Sequence, residues 1–256
     1  MRVLPILAKT VCAGFIVSLL LGLTAAFGTR LGFWDYHFGL ETLFPWCVGI
    51  AALTFLLGAG WVVWALMAND GDGARYGIVG FFGAIVVLYN PVSDYLAARD
   101  APPIYDVSTD TEHAPVFVSL LTMRDGATNS PDYDGQTKVW FKGKFSTVSL
   151  LQHKYEAGVR PAPQLVSPEK LFKRGLNAVY DMGWNVVAIA PDEGRIEATD
   201  TTFFFGFTDD IVIRVKPAGF GARLDIRSES RVGKTDGGRN ARRVVAYLKA
   251  LARESR

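Results

Sequence analysis

Between Arg223 and Arg231 the sequence places a charge at every second residue: Arg223, Asp225, Arg227, Glu229 and Arg231. A glycine-rich turn follows with Lys234, Thr235 and Asp236, and Asn240 and Arg242 then open a helical pattern. Alternate residues of a strand share one face, so the five charges form a row. One reading is a solvated strand face, whose exposed ion pairs are each worth less than about 1 kcal/mol. The other is an anion site. Cations gathered at a strand end, beside the backbone N–H groups of a glycine turn and a helix N-terminus, suit a phosphate or carboxylate. Its residues would be Arg227, Arg231, Lys234, Asp236, Asn240 and Arg242, with Arg239 close by. Asp236 and Asn240 would shape the turn rather than react.

Other residues invite chemistry as well. Asp209, Asp210 and Asp225 form a possible acidic cluster, able to serve a hydrolase of envelope lipids or glycans. Adjacent strand residues point to opposite faces, however. The structural reading of Asp209 and Asp210 is turn formation plus one salt bridge to Arg214 or Arg227. His113 follows Asp106, Asp110 and Glu112, an oxygen-rich set that could hold a divalent metal. A solvated loop has the same composition, and the expectation is no metal and no cofactor. The run Gly233-Lys234-Thr235 is not a nucleotide loop, because Ser228 stands where the leading glycine is needed. No Gly-x-Ser-x-Gly elbow occurs. Phe203, Phe205 and Phe207 would line one strand face, as core or as a groove for a lipid or quinone tail.

These residues need elements to position them. Ser167 before Pro168 caps a helix whose Leu171, Phe172, Leu176 and Val179 share a face, and Gly183 ends it. The segments WNVVAIA, RIEATDTTFFFGF, IVIRVK and ARLDIRSESR read as strands, separated by the turns PDEG, TDD and PAGFG. Asn240 caps a last helix with Val244, Tyr247, Leu248 and Leu251 on one side. Short turns imply antiparallel neighbours. The order predicts an α+β domain over residues 100–256, a sheet whose apolar face is covered by two helices. The segment KVWFKGKFSTVSLL fits neither strand nor helix clearly.

The first 99 residues differ. Apolar runs over about 10–29, 45–68 and 76–98 each approach the length needed to cross a bilayer. Lys9, Arg30, Arg75 and Arg99 bracket them, and no charged residue lies mid-span. That pattern favours an anchor over an ion path. In GIVGFFG, Gly77, Gly80 and Gly83 recur every third residue, which permits close helix packing. Both cysteines, Cys12 and Cys47, fall in these runs, so the polar part has no disulfide framework. A net charge of +2 offers no case for nucleic acid.

The segments PPIYDVSTDTEHAPVF, MGWNVV, GRIEATDTTFFFGFTDDIVIRV and LDIRSESRVGKTDGGRNARRV, in this order, resemble the domain of unknown function 1499 family over roughly residues 102–254. The resemblance implies an exported or membrane-attached bacterial protein and brings no agreed activity. The segment LQHKYEAGVRPAP keeps the family's Gln152 and Tyr155 but lacks its Pro-Asp. The combined expectation is a multi-pass membrane protein in contact with lipids. Its α+β domain would bind an anionic ligand or an envelope partner; an envelope hydrolase and a structural subunit of an envelope complex are the alternatives.

Arg2, Lys9 and Arg75 on one side against Arg30 and Arg99 on the other favour an inside N-terminus. Three crossings then leave the α+β domain outside the cytoplasm. A reporter active only outside, fused after Arg256, is expected to be active. A silent fusion, with a cytoplasmic reporter active at the same point, would refute this topology.

Overall fold

The computed structural model describes residues 3–68, 70–156 and 158–254. Two compact units emerge: Met1–Leu96 with Thr202–Gly206, and Ala97–Thr201 with Phe207–Arg256.

The first unit holds helices α1 (Val3–Arg30), α2 (Phe44–Met67) and α3 (Gly71–Ala98), with a π-helical turn at His37–Leu43. All three are long and apolar enough to cross a membrane. Glycine lets them approach. A Cβ on Gly80 would lie 2.8 Å from the carbonyl oxygen of Val11, and one on Gly58 would lie 3.0 Å from the backbone of Phe81. The first clashes and the second is tighter than ordinary contact, so the small residues set the helix separation. The segment Thr202–Gly206 belongs here: Arg30 donates to the carbonyls of Thr202 and Phe203 at 2.8 and 2.6 Å, and Phe27 meets Phe203 edge-on at 6.0 Å. The expected strand face of Phe203, Phe205 and Phe207 does not form. The strand stops at Thr201, and three phenylalanines in succession enter a turn instead.

The second unit is α+β. Strands β1 (Asp106–Ser108), β4 (Ala162–Gln164), β5 (Asn185–Ala190), β6 (Arg195–Thr201), β7 (Thr208–Ala218) and β8 (Gly221–Ser230) form one sheet. Its order is β1-β8-β7-β6-β5, with β4 also on β8 and every pairing antiparallel. Strand β7 begins at Thr208, so Asp209 and Asp210 lie inside a strand rather than in the expected turn. A separate hairpin joins β2 (Lys138–Phe141) to β3 (Lys144–Thr147), and α4 (Val148–Tyr155) follows at once. This resolves the segment that had no clear pattern.

Helices α5 (Pro168–Asp181) and α6 (Arg239–Arg253) cover one face of the sheet. Ser167 caps α5 through the N–H of Lys170 at 3.3 Å. Leu171, Val179, Val244, Tyr247 and Leu251 meet Ile196, Ile211, Ile213, Leu224 and Ile226 in a core sealed from water. The Tyr247 hydroxyl donates to the Gly175 carbonyl at 3.0 Å, and its ring stacks on Trp184 at 5.5 Å.

A side chain at position 175 would meet Leu224 and the Tyr247 hydroxyl at 3.1 Å. Gly175→Val is therefore expected to destabilise the domain by about 1–3 kcal/mol through overpacking. The check is thermal melting of the detergent-solubilised chain, read by near-ultraviolet circular dichroism.

Candidate functional site

The other face of the sheet carries the alternating charges, and it is not solvated. Arg227 and Glu229 are 0% exposed and Asp225 is 1% exposed. The expectation of a wet strand face is overturned because residues 109–136 fold across it. Strand register aligns the row: Asp106 opposes Glu229, Asp210 opposes Glu229 from the other side, and Val212 opposes Arg227.

Arg227 sits at the centre. Its Nε and Nη2 fork onto Asp106 at 2.9 and 2.7 Å, while Nη2 and Nη1 also donate to the carbonyls of Pro131 and Pro115. Its guanidinium lies 4.6 Å from the Phe117 ring and 5.6 Å from the Tyr133 ring. This combines a bidentate ion pair with cation–π contacts on a desolvated cation. Arg124 bridges Asp210 and Glu229 at 2.5 and 2.8 Å. Arg231 forks onto Asp210 at 2.9 and 2.7 Å and donates to the Met123 carbonyl at 2.6 Å. Further along, Asp225 is held by Arg214 and Arg223 at 3.0 and 2.9 Å, and both arginines also reach Asp110. Glu197 pairs with Arg195 and accepts the N–H groups of Val118, Ser119 and Leu120. Those donors start the short 3-10 turn Ser119–Met123.

The expected site residues thus divide. Arg227 and Arg231 are neutralised by Asp106 and Asp210. Asp236 accepts the N–H groups of Gly238 and Asn240, both at 2.7 Å, and so holds the start of α6. The N-cap is Gly238 rather than Asn240. The buried Asn240 amide instead accepts from Ser228 Oγ at 2.8 Å and donates to the Tyr105 carbonyl and Ser230 Oγ. Lys234, Arg239 and Arg242 are exposed. The three aspartates do not converge: Asp209 turns to the helix side and pairs with Arg243 at 2.5 Å. Asp210 and Asp225 hold different arginines, and the partners expected for the Asp209–Asp210 pair, Arg214 and Arg227, serve other carboxylates. The histidine set also disperses, since Asp106 faces Arg227 and Asp110 caps the N–H groups of Glu112 and His113. Among the described residues no three His, Cys, Asp or Glu side chains are grouped as a metal would need.

Open space lies beside Arg227. A cleft of about 940 Å³ is lined by Glu112, His113, Val116, Asp132, Leu150 and His153 among others, with Arg227 and Tyr133 in its wall. A second of about 430 Å³ is lined by Tyr105, Asp106, Trp140, Val148 and Lys234, and again by Tyr133. Among the described residues, the buried Tyr133 hydroxyl has no hydrogen-bond partner, and neither has Arg214 Nε. Sequence reading missed Arg124, Phe117 and Tyr133. Their loop has no periodicity, and only a surplus of charges requiring partners on β7 and β8 hinted at them. Gln152, noted through the family resemblance, accepts the Ser108 N–H at 3.0 Å and donates to its carbonyl, extending the sheet edge.

Burial and the neighbouring Asp106 carboxylate push Glu229 up to about 7, against the pull of Arg124. Burial raises Asp106 as well. A carboxyl raised in the folded state binds protons that the unfolded chain has released. Its contribution is complete below its ordinary value and is lost as pH rises through its folded value. Stability is therefore expected to fall between about pH 5 and pH 8, and Glu229→Gln to flatten that slope. Melting temperatures of both proteins across the range test this. Arg227→Met should cost about 3–5 kcal/mol at neutral pH, since it strands buried carboxylates.

No curated protein and no solved structure matches the chain. A family model matches residues 106–251, more than half of the chain and nearly all of the α+β unit. The chain belongs to the family described as protein of unknown function (DUF1499).

Proposed function

We propose that this chain is a membrane-anchored module of the bacterial envelope whose α+β domain, outside the cytoplasm, binds a ligand or partner. The observation that carries this reading is Tyr133. A buried hydroxyl without a partner costs free energy that native folds rarely tolerate. This one belongs to a ring that walls two cavities. A polar group in either cleft, of solvent or of a bound molecule that displaces it, would supply that hydrogen bond. Burial beside Asp106 raises the Tyr133 phenol, so it is available as a donor at neutral pH. The carboxylate hydrolase has less support. A general acid must exchange its proton freely, and Asp209, Asp210 and Asp225 are each held by guanidinium groups.

The cavities share Asp132, Tyr133 and Asp134, but Glu112 lines only the larger and Lys234 only the smaller, which suggests two probes. Melting of the detergent-solubilised full chain is measured against spermidine and against inorganic phosphate. Saturable stabilisation follows mass action for a ligand of the folded state. Stabilisation by spermidine that Glu112→Gln weakens would place binding in the larger cleft. Stabilisation by phosphate that Lys234→Ala weakens would place it in the smaller one. Tyr133→Phe is expected to melt no lower than the wild type while losing most of the ligand response. A Tyr133→Phe protein that melts several degrees lower, with an unchanged ligand response, would overturn the binding role of this hydroxyl.

A further inference from the structure

The β2–β3 hairpin has an outer face that no element of the main sheet covers. Trp140 and Phe145 are a cross-strand pair, with rings 5.0 Å apart, and are 58% and 67% exposed. Lys138 and Lys144 are exposed on the same two strands. The opposite face packs inward, where Phe141 meets Tyr155 of α4 at 5.1 Å. Exposed aromatics flanked by lysines are costly in water and common at the headgroup level of a bilayer.

Two contacts within the α+β unit bring this surface to the point where the chain leaves its last span. Lys142, at the hairpin tip, pairs with Asp100 at 3.2 Å. Asp100 lies just beyond Ala98, the end of α3. The turn before α6 reaches the same point, where a Cβ on Gly237 would lie 2.9 Å from that of Ala98. That turn carries exposed Lys234, and Arg239 follows it. Lys142 is occupied by Asp100, and Lys144 pairs with Phe141 on the other face, which leaves Lys138 beside Trp140, with Lys234 and Arg239, to face an anionic surface.

We infer that the β2–β3 hairpin is an interfacial anchor. Trp140 and Phe145 insert at the headgroup level of the bilayer that α3 crosses, and the neighbouring cations contact anionic lipid headgroups. The aromatic pair provides apolar burial, and the lysines and arginine add an attraction that depends on lipid charge and salt. The inference rests on membrane anchorage; Trp140 and Lys234 also line the smaller cavity, so its test is read at Phe145, which lines neither cavity.

The test uses the full chain in nanodiscs of phosphatidylcholine, with or without phosphatidylglycerol, and with Cys12 and Cys47 replaced by alanine. An environment-sensitive fluorophore is attached after Phe145→Cys, and in a control after Phe220→Cys at the fully exposed β7–β8 tip. The expected result is about threefold weaker quenching by an aqueous quencher at 145 than at 220, with quenching by lipid-borne nitroxide at 145 only. Lys138→Glu with Arg239→Glu should remove the enhancement by phosphatidylglycerol. Equal aqueous quenching at both positions overturns the inference. So does protection at 145 without quenching by lipid nitroxide, which would mean that protein covers the hairpin.

Discussion

A bidentate ion pair between Arg227 and Asp106, closed off from water, joins the regular half of the α+β domain to its irregular half. Removing two ions from water costs several kcal/mol each, and only near-complete hydrogen bonding offsets it. The surroundings meet that demand. Arg227 places its remaining donors on the Pro115 and Pro131 carbonyls and its faces against Phe117 and Tyr133. Its neighbours repeat the pattern: Arg231 reaches the Met123 carbonyl, Arg124 that of Asn129, and Arg214 that of His113. Each guanidinium therefore grips a carboxylate on the sheet and a carbonyl in the loop. Residues 109–136 have little hydrogen-bonded structure of their own. Their order comes from the charged face beneath them.

That origin explains what could be read from the sequence. The apolar faces of α5 and α6 were legible, since Leu171, Val179, Val244 and Leu251 recur at helical spacing and the sheet they cover alternates accordingly. The long helices were legible from length alone. On β8 the period-two pattern was read correctly as a strand, but its charged face was read as either solvated or an anion site, and neither reading included the loop that covers it. Alternation fixes which residues share a face and says nothing about what covers that face. The cover is a proline- and glycine-punctuated loop distant in sequence, so no local pattern could announce it. The phenylalanine run failed for another reason. Aromatics favour strands, and tertiary contacts with α1 and α2 outweighed that preference at Phe203 and Phe205.

The same network bears on what the residues can do. The segments that carry the family resemblance are largely those that build the buried pairs: Asp106 in the first, Glu197 and Asp210 in the third, Arg227 and Glu229 in the last. Gln152 continues the sheet by pairing with the backbone of Ser108. Such residues need no reaction to explain them. Tyr133 is different, because packing around Arg227 accounts for its ring but not for its hydroxyl. Two buried polar atoms among the described residues lack a partner, the Tyr133 hydroxyl and Arg214 Nε, and of the two only Tyr133 belongs to a residue lining the two cavities.

Lysine and arginine have separate roles in this domain. Among the described residues, every cation paired with a buried carboxylate is an arginine. A planar fork can satisfy two acceptors at once and is weakly hydrated, whereas an ammonium group keeps its water. The lysines accordingly stay outside, on the β2–β3 hairpin, on the turn before α6 and on the outer sides of the helices and β7. Because the buried arginines are matched by carboxylates, they contribute little field at the surface. Lys138, Lys234 and Arg239 are among the cations left exposed. A chain with almost no net charge can in this way still present a basic, aromatic edge, and the segregation of its two cations determines where that edge lies.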